Sequence, residues 1–275
     1  MANPLSATIF GLAVIAASLA ISVRFDLIQS GFGQKTVWDL LDVLGVPLVV
    51  AVIAGMFAWG AQIRADRRFE AEQELNNNRA RETALRTFLD RMTVLVIDRN
   101  LQDSERDSPE HAVAIAHTFA TLRSLDGPRK GILVKFLYES KLINVGAPVV
   151  GLAKADLRSS DLGGLDLNRC DMSGANLSKA DLWHTDLSKS SLVDAILVEA
   201  DLYYTDLRDA DLRGADLHLA VIHDADLAGV NLAGAKVTEL QLAGAMSLIG
   251  ATMPDGAVMT QEGWARFRNG HDENS

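Results

Sequence analysis

The sequence predicts an α + β-solenoid: two transmembrane helices, a small helical subdomain, and a four-sided coil built from a five-residue repeat. Three observations carry this reading. Two uncharged apolar runs lie near the N-terminus, a charged stretch with helically spaced apolar positions follows, and over residues 157–242 every fifth residue is apolar. The 275-residue chain carries 26 Lys+Arg against 36 Asp+Glu, a formal −10, yet its mean hydropathy is +0.11, so apolar and acidic residues must be segregated. An apolar content of 48% excludes a wholly disordered protein. The acidity argues against a general nucleic-acid binder, which needs clustered Lys and Arg for phosphate. A lone Cys170 leaves no intrachain disulfide framework and no cysteine-rich zinc module, and a reducing compartment is the simplest setting.

Residues 1–63 are expected to form a transmembrane hairpin, with spans over about 4–23 and 43–63. The first run, PLSATIFGLAVIAASLAISV, has no charge and matches the ~20 residues that cross ~30 Å of hydrocarbon. In the second, Pro47 is expected near the helix start, where a missing N–H costs little, and Trp38 and Trp59 near the interfaces. A cleaved signal peptide would need a basic n-region, and MANPLSAT has no Lys or Arg. Arg64, Arg67, Arg68, Arg79 and Arg81 follow the second run, whereas the connection holds only Arg24 and Lys35. The positive-inside rule therefore predicts a multi-pass protein with both termini in the cytoplasm. Neither span has an ionisable residue, which argues against an ion path. The small-residue pairs Ala13/Ala17 and Ala51/Gly55 would let helices approach, as in an anchor or a dimer.

Residues 64–147 are expected to form a cytoplasmic helical subdomain of three helices. Leu85, Phe88, Leu89, Met92, Leu95 and Val96 keep the 3-and-4 spacing of one helical face. Ser108-Pro109 reads as an N-cap with a first-turn proline, ahead of an apolar stripe of Val113, Ala116, Phe119, Leu122 and Leu125. Asp126-Gly127-Pro128 restarts a helix with Ile132, Leu133, Phe136 and Leu137 on one side. His111 and His117, six apart, lack ligand spacing on a helical face and read as surface or rim histidines.

Residues 148–250 are expected to form the coil, and 251–275 its cap and tail. Of the 18 fifth positions over 157–242, 15 are Leu, the others being Met172, Ile222 and Val237. Two residues before each, 15 of 18 are Ala, Ser, Thr or Cys, and one residue before, 13 of 18 are Asp or Asn. Period five fits neither the 3.6 of a helix nor the 2 of a strand. A chain that turns inward every five residues buries one Leu and one small residue per side. Four sides close a coil of about 20 residues, and coils stack ~4.8 Å apart through backbone hydrogen bonds along the axis.

These A(D/N)LXX tandems, as in EADLYYTDLRDADLRGADL, resemble the pentapeptide-repeat family, and the resemblance implies a right-handed quadrilateral β-helix over roughly residues 150 to 250. TELQLAGAMSLIGATMPDG resembles the capping segment of bacterial members. The hairpin with ETALRTFLDRM and LRSLDGPRKGILVKFLYESKLI resembles the N-terminal half of membrane-anchored members, which implies the bacterial inner membrane. The resemblance supplies a fold and no reaction. Some relatives resemble B-form DNA in outline and charge and occupy the DNA site of a type II topoisomerase, but the motif residues shared with them are the fold-forming ones.

With 20 residues per coil, positions 20 apart stack. One outward column is Trp183, Tyr203, His223, and its neighbour is His184, Tyr204, Asp224, with Ile196, Val198, His218, Leu219 and Val221 adjoining. A gathering of large apolar and aromatic groups on the outside marks contact, either with a partner or with the protein's own helical subdomain or tail. Candidate partner-binding residues are therefore Trp183, Tyr203, His223, His184, Tyr204 and Val221. No metal centre is expected from His184, His218, His223 and Asp224, because same-column members two coils apart are ~9.6 Å apart. A second column, Asp166, Asp186, Asp206 and Asp226, forms an acidic ladder whose simplest role is hydrogen bonding to the local turns. Residues 151–254 hold 16 Asp+Glu and 8 Lys+Arg, a net −8 that attracts basic proteins.

No triad order with a supporting motif, phosphate-cradling glycine loop or HExxH is present, so no enzyme activity and no cofactor are expected. The expected role is a membrane-anchored interaction scaffold that presents an acidic rod to the cytoplasm, with the bilayer bound through residues 4–23 and 43–63 and a protein partner at the aromatic columns. The alternatives are a structural stalk or homo-oligomer, and a DNA-mimicking topoisomerase binder. Whether Trp264 and Phe267 dock the tail on the rod stays open at this point.

Overall fold

The structure is a computed structural model, and it describes residues 34–99, 101, 108–143 and 149–272. The expected first span, 4–23, lies outside the described residues. The chain divides into two compact units between Asn77 and Asn78.

The first unit holds the beginning of α1 (Gln34–Ile97), which is long and apolar enough to cross a membrane. The helix already runs from Gln34, so Pro47 lies inside it and not in its first turn. Val49, Val50, Ile53, Met56, Phe57 and Trp59 are all exposed, an apolar surface with no protein against it among the described residues. Contiguous exposed apolar surface of this kind commonly marks a site of contact.

In the second unit the end of α1 packs with α2 (Pro109–Ser124) and α3 (Gly127–Glu139). Leu85, Phe88 and Met92 are buried, and Leu89, Leu95 and Val96 pack beside them, the face expected from their spacing. The Ser108 side chain accepts from the His111 N–H, and Asp126 caps α3 by accepting from the Arg129 N–H. The α2 stripe is rotated from the expected one: Val113 and Ala116 are exposed, and His111, Ala114, Thr118, Thr121 and Leu122 face inward. The threonines tolerate burial because their hydroxyls donate to Ala114 O and His117 O at 2.8 Å, one turn back. His111 is thus a core residue, not a rim one. On α3 Ile132 is exposed and the inward face is Gly127, Lys130, Gly131, Leu133, Val134 and Leu137.

The coil follows the five-residue rule. Parallel bridges join residues 20 apart, from Asp156↔Asn176 to Asp216↔Lys236. Each step carries two backbone bonds, for example Leu182 N–H to Asp201 O at 2.8 Å and Asp201 N–H to Ala180 O at 2.9 Å. Leu at the central position is buried throughout, and the small residue two before it lines the same interior. Where that residue is Ser or Thr, its hydroxyl donates to an inner carbonyl, as Thr185 does to Leu162 O and Thr205 to Leu182 O, both at 2.8 Å. Between sides the chain turns through a bond from the small residue's N–H to the preceding Leu carbonyl, with the residue just before it at positive φ. Six of these corners are glycine, including Gly174, Gly214 and Gly234, but twelve are not, each accepting a left-handed cost of about 1–2 kcal/mol.

Both open ends of the coil are covered, as edges of unpaired backbone must be. At the first coil α3 lies so close that a Cβ on Gly127 would overlap the Ser159 carbonyl and one on Gly131 the Asp161 carbonyl. The buried Lys130 ammonium meets Asp156 at 3.0 Å, Tyr138 OH donates to Asp166 at 3.4 Å, and the Cys170 thiol contacts Ile143 O at 3.3 Å. Burial pushes the Cys170 thiol up to about 12, so it is inert as a nucleophile.

At the far end the period does not run to Leu242 as a strand position. α4 (Glu239–Ala243) replaces that side, capped by Thr238 and Gln241 on each other, and inserts one residue, so Asp226 pairs with Ser247 and Asn231 with Thr252, both 21 apart. The last coil position is therefore Thr252, beyond residue 250. The Gln241 amide donates to Leu217 O and Ala220 O at 2.8 Å, satisfying carbonyls that a further coil would have taken. Thr252 then pairs antiparallel with Val258, and α5 (Gln261–Asp272) buries Trp264, which stacks on Phe267 at 5.9 Å. The tail therefore docks on the end of the coil.

Candidate functional site

The six candidate contact residues converge on one corner of the coil. Trp183, Tyr203 and His223 occupy the position after the buried Leu182, Leu202 and Ile222, and His184, Tyr204 and Asp224 the left-handed corner beside them. Stacking of coils then stacks the rings. His184 lies parallel to Tyr204 at 5.2 Å and 13°, and His223 parallel to Tyr203 at 5.9 Å and 7°. Trp183 meets His184 edge-on at 4.6 Å, and Tyr203 meets Tyr204 edge-on at 4.4 Å. These five rings form one continuous ladder, in geometries that aromatic pairs favour.

The ladder is not packed away among the described residues. Trp183 is 48% exposed, Tyr204 41% and Val221 50%, and His184 and His223 are exposed as well, whereas Tyr203 is half-buried. Leu219 at 62% and Ile196 at 39% extend the apolar surface. The ladder has defined ends: its columns begin at Gly163 and Gly164 in the first coil, and Gly244 sits over His223 at the other end. His223 also approaches Asp224 at 3.5 Å.

The acidic ladder of Asp166, Asp186, Asp206 and Asp226 is a device of the fold. Each carboxylate accepts from the backbone N–H two residues on, at 3.1, 2.8, 3.0 and 3.1 Å. Parallel bridges join each to the next, and Arg208 lies between Asp206 and Asp226. The same Asx turn recurs at Asp161, Asp181, Asp201, Asp211 and Asp216. That explains the preference for Asp or Asn before Leu: it holds the chain in the turn. Among the described residues no group of three or more His, Cys, Asp and Glu could hold a metal ion.

Hydrogen bonds from Arg208, Arg213 and Lys236 hold the Asp206, Asp211 and Asp216 carboxyls below the ordinary value. A carboxyl whose value is lower folded than unfolded stabilises the fold fully above the unfolded value, about 3.9, and loses that contribution as pH falls through the folded value. The thermal midpoint should thus be flat above about pH 5 and fall below about pH 4. A thermal-melt series against pH checks this, and Arg213→Ala should flatten part of the acid limb. A midpoint that rises on acidification would contradict it.

Residues 152–188, 184–218 and 195–234 match the family model described as pentapeptide repeats, with eight copies in all. Among solved structures, the chain resembles the pentapeptide repeat protein HetL, involved in heterocyst differentiation regulation in the cyanobacterium Nostoc sp. strain PCC 7120, at 31% identity over 40% of this chain and 60% of that one, with a TM-score of 0.25. It resembles the pentapeptide repeat protein Rfr23 of the cyanobacterium Cyanothece 51142 at 33% identity over 34% and 56%, with a TM-score of 0.23. A third, the pentapeptide repeat protein alr5209 of Nostoc PCC 7120, is 28% identical over 42% and 92%, with a TM-score of 0.26. The chain thus spans about three fifths of the length of the first two. No curated protein sequence matches it.

Proposed function

We propose, from the pentapeptide repeats that this chain carries over residues 152–234, that it is a membrane-anchored interaction scaffold. Pentapeptide-repeat proteins are generally structural or interaction proteins, and the rod here is a rigid stack with both ends covered. The observation that carries the reading is the exposed ladder of Trp183, His184, Tyr203, Tyr204 and His223. Aromatic groups left in water on an otherwise charged rod are what a partner buries at the centre of an interface. The anchor is the apolar part of α1, whose exposed Val49, Val50, Ile53, Met56 and Phe57 suit lipid, with Arg64, Arg67 and Arg68 following on the side that the positive-inside rule assigns to the cytoplasm. In this reading the setting is the bacterial inner membrane and the rod faces the cytoplasm.

Crosslinking capture from native membranes, read by mass spectrometry, tests the scaffold. Trp183→Ala with Tyr203→Ala should remove a specific protein from the capture while the thermal midpoint of the purified chain moves little. An unchanged capture with a lowered midpoint would make the ladder a brace of the coil and favour a stalk.

A further inference from the structure

The side of the coil that carries the ladder has a second property. Immediately before Leu162, Leu182 and Leu202 stand Asp161, Asp181 and Asp201, all exposed and joined in one column by the bridges Asp161↔Asp181 and Asp181↔Asp201. In each, Oδ1 accepts from the N–H two residues on, at 3.4, 3.0 and 3.0 Å, which ties one carboxylate oxygen to the turn while the residue as a whole stays exposed. Among the described residues none of the three forms an ion pair. The other three sides differ: Asp156 meets Lys130 and Arg158, Asp216 meets Lys236, Arg208 serves Asp206 and Asp226, and Arg213 serves Asp211. Asp166, Asp171 and Asp186 on those sides also form no ion pair among the described residues, but only in the ladder's column is no carboxylate ion-paired, with charges about 4.8 Å apart and rings beside Asp181 and Asp201.

The chemistry of that strip selects its occupant. Carboxylates in a row attract one cation per rung, and the exposed rings beside them form an apolar wall; guanidinium forks a carboxylate and, being weakly hydrated, tolerates that wall, where ammonium is a strongly hydrated point charge. The spacing selects the occupant's backbone. A strand lying along the axis presents same-face side chains every ~6.7 Å, out of step with rungs ~4.8 Å apart. A helix presents one per turn of ~5.4 Å, and positions i, i+4 and i+7 span ~10.5 Å against ~9.6 Å for three rungs. Resting on the scaffold reading above, we propose that the ladder and the Asp161–Asp181–Asp201 column form a docking strip for a basic α-helix of a protein partner, with arginines at i, i+4 and i+7.

The full chain in detergent micelles tests this with a labelled synthetic helix of about four turns bearing three arginines at that spacing. The comparison probe is a peptide of the same composition with the arginines moved to different faces. Fluorescence anisotropy should show the registered peptide binding at least tenfold more tightly. Asp181→Asn with Asp201→Asn, which keeps the oxygen that the turn uses, should weaken it at least tenfold. Asp171→Asn with Asp211→Asn, on another side of the coil, should leave it within about twofold. Equal binding of the two peptides, no loss in Asp181→Asn/Asp201→Asn, or equal loss in the control pair would each overturn the proposal. If it is overturned while Trp183→Ala/Tyr203→Ala still removes a captured protein, the scaffold stands and only the arginine helix falls.

Discussion

Replacing Gly131 by alanine should cost about 3 kcal/mol of stability, more than removing any exposed ring of the ladder, although it adds one methyl group. On an isolated helix the change would be favourable by about 1 kcal/mol. Here the added Cβ would overlap the Asp161 carbonyl oxygen, which belongs to the backbone of the first coil and has no rotamer to escape into. Helix α3 must then lift from the coil, and the consequences spread: Lys130 loses Asp156, Tyr138 loses Asp166, and the first coil exposes an edge. Chemical denaturation of the purified full chain checks the loss. Light scattering should show association of the variant through the uncovered edge. Ile132→Ala, one residue on but exposed, should change stability by less than about 0.5 kcal/mol. Equal stability of Gly131→Ala and the parent would mean that α3 does not cap the coil.

That cap marks where the sequence stopped being legible. The coil interior could be read because one rule repeats: Leu, a small residue and Asp or Asn meet the same surroundings at every side, so pattern alone locates the core, the turns and the stacking of Trp183 on the column of Tyr203 and His223. The end caps break the period, and each break depends on contacts distant in sequence. Gly127 and Gly131 look like poor helix residues until the carbonyls of Ser159 and Asp161 are in place against them. Nothing local pairs Lys130 with Asp156, 26 residues further along. Val113 and Ile132 fall on apolar stripes by sequence yet are exposed, because hydrophobicity is a local property, whereas burial on α2 and α3 is decided by which face the coil and α1 occupy. The ladder's rings were legible as a column; the unpaired state of Asp181 and Asp201 was not, since it depends on where Arg208, Arg213 and Lys236 reach. The left-handed corners were missed too, because His184 and Tyr204 lack the glycine that signals positive φ.

Deleting a whole coil should harm the protein far less than deleting one residue. Removal of residues 191–210 takes out 20 residues, so Asp186, which pairs with Asp206 in the parent, meets Asp226 instead, and every later Leu still points inward. The loss is four central side chains, Leu192, Leu197, Leu202 and Leu207, together with Tyr203 and Tyr204. Stability in a stack is close to a sum of nearest-neighbour terms, so the shortened rod should keep a single cooperative transition with a lower midpoint. Deletion of Ser188 alone places each following side one residue out of step with the coil beneath it. Leu192, Leu197 and the rest then either leave the core or abandon the bonds to the coil before them, and Asp201, Asp206, Asp211, Asp216 and Asp226 move into small-residue positions. Burying unpaired carboxylates there is costly enough to unfold everything that follows. The insertion at α4 does not contradict this: an extra residue is absorbed there by a helical turn and by the Gln241 amide, and only the last coil follows it. Circular dichroism and limited proteolysis decide the case. A protected core in the 20-residue deletion and rapid cleavage beyond residue 188 in the single deletion are expected; the reverse order would mean that stacking of identical sides does not hold the rod.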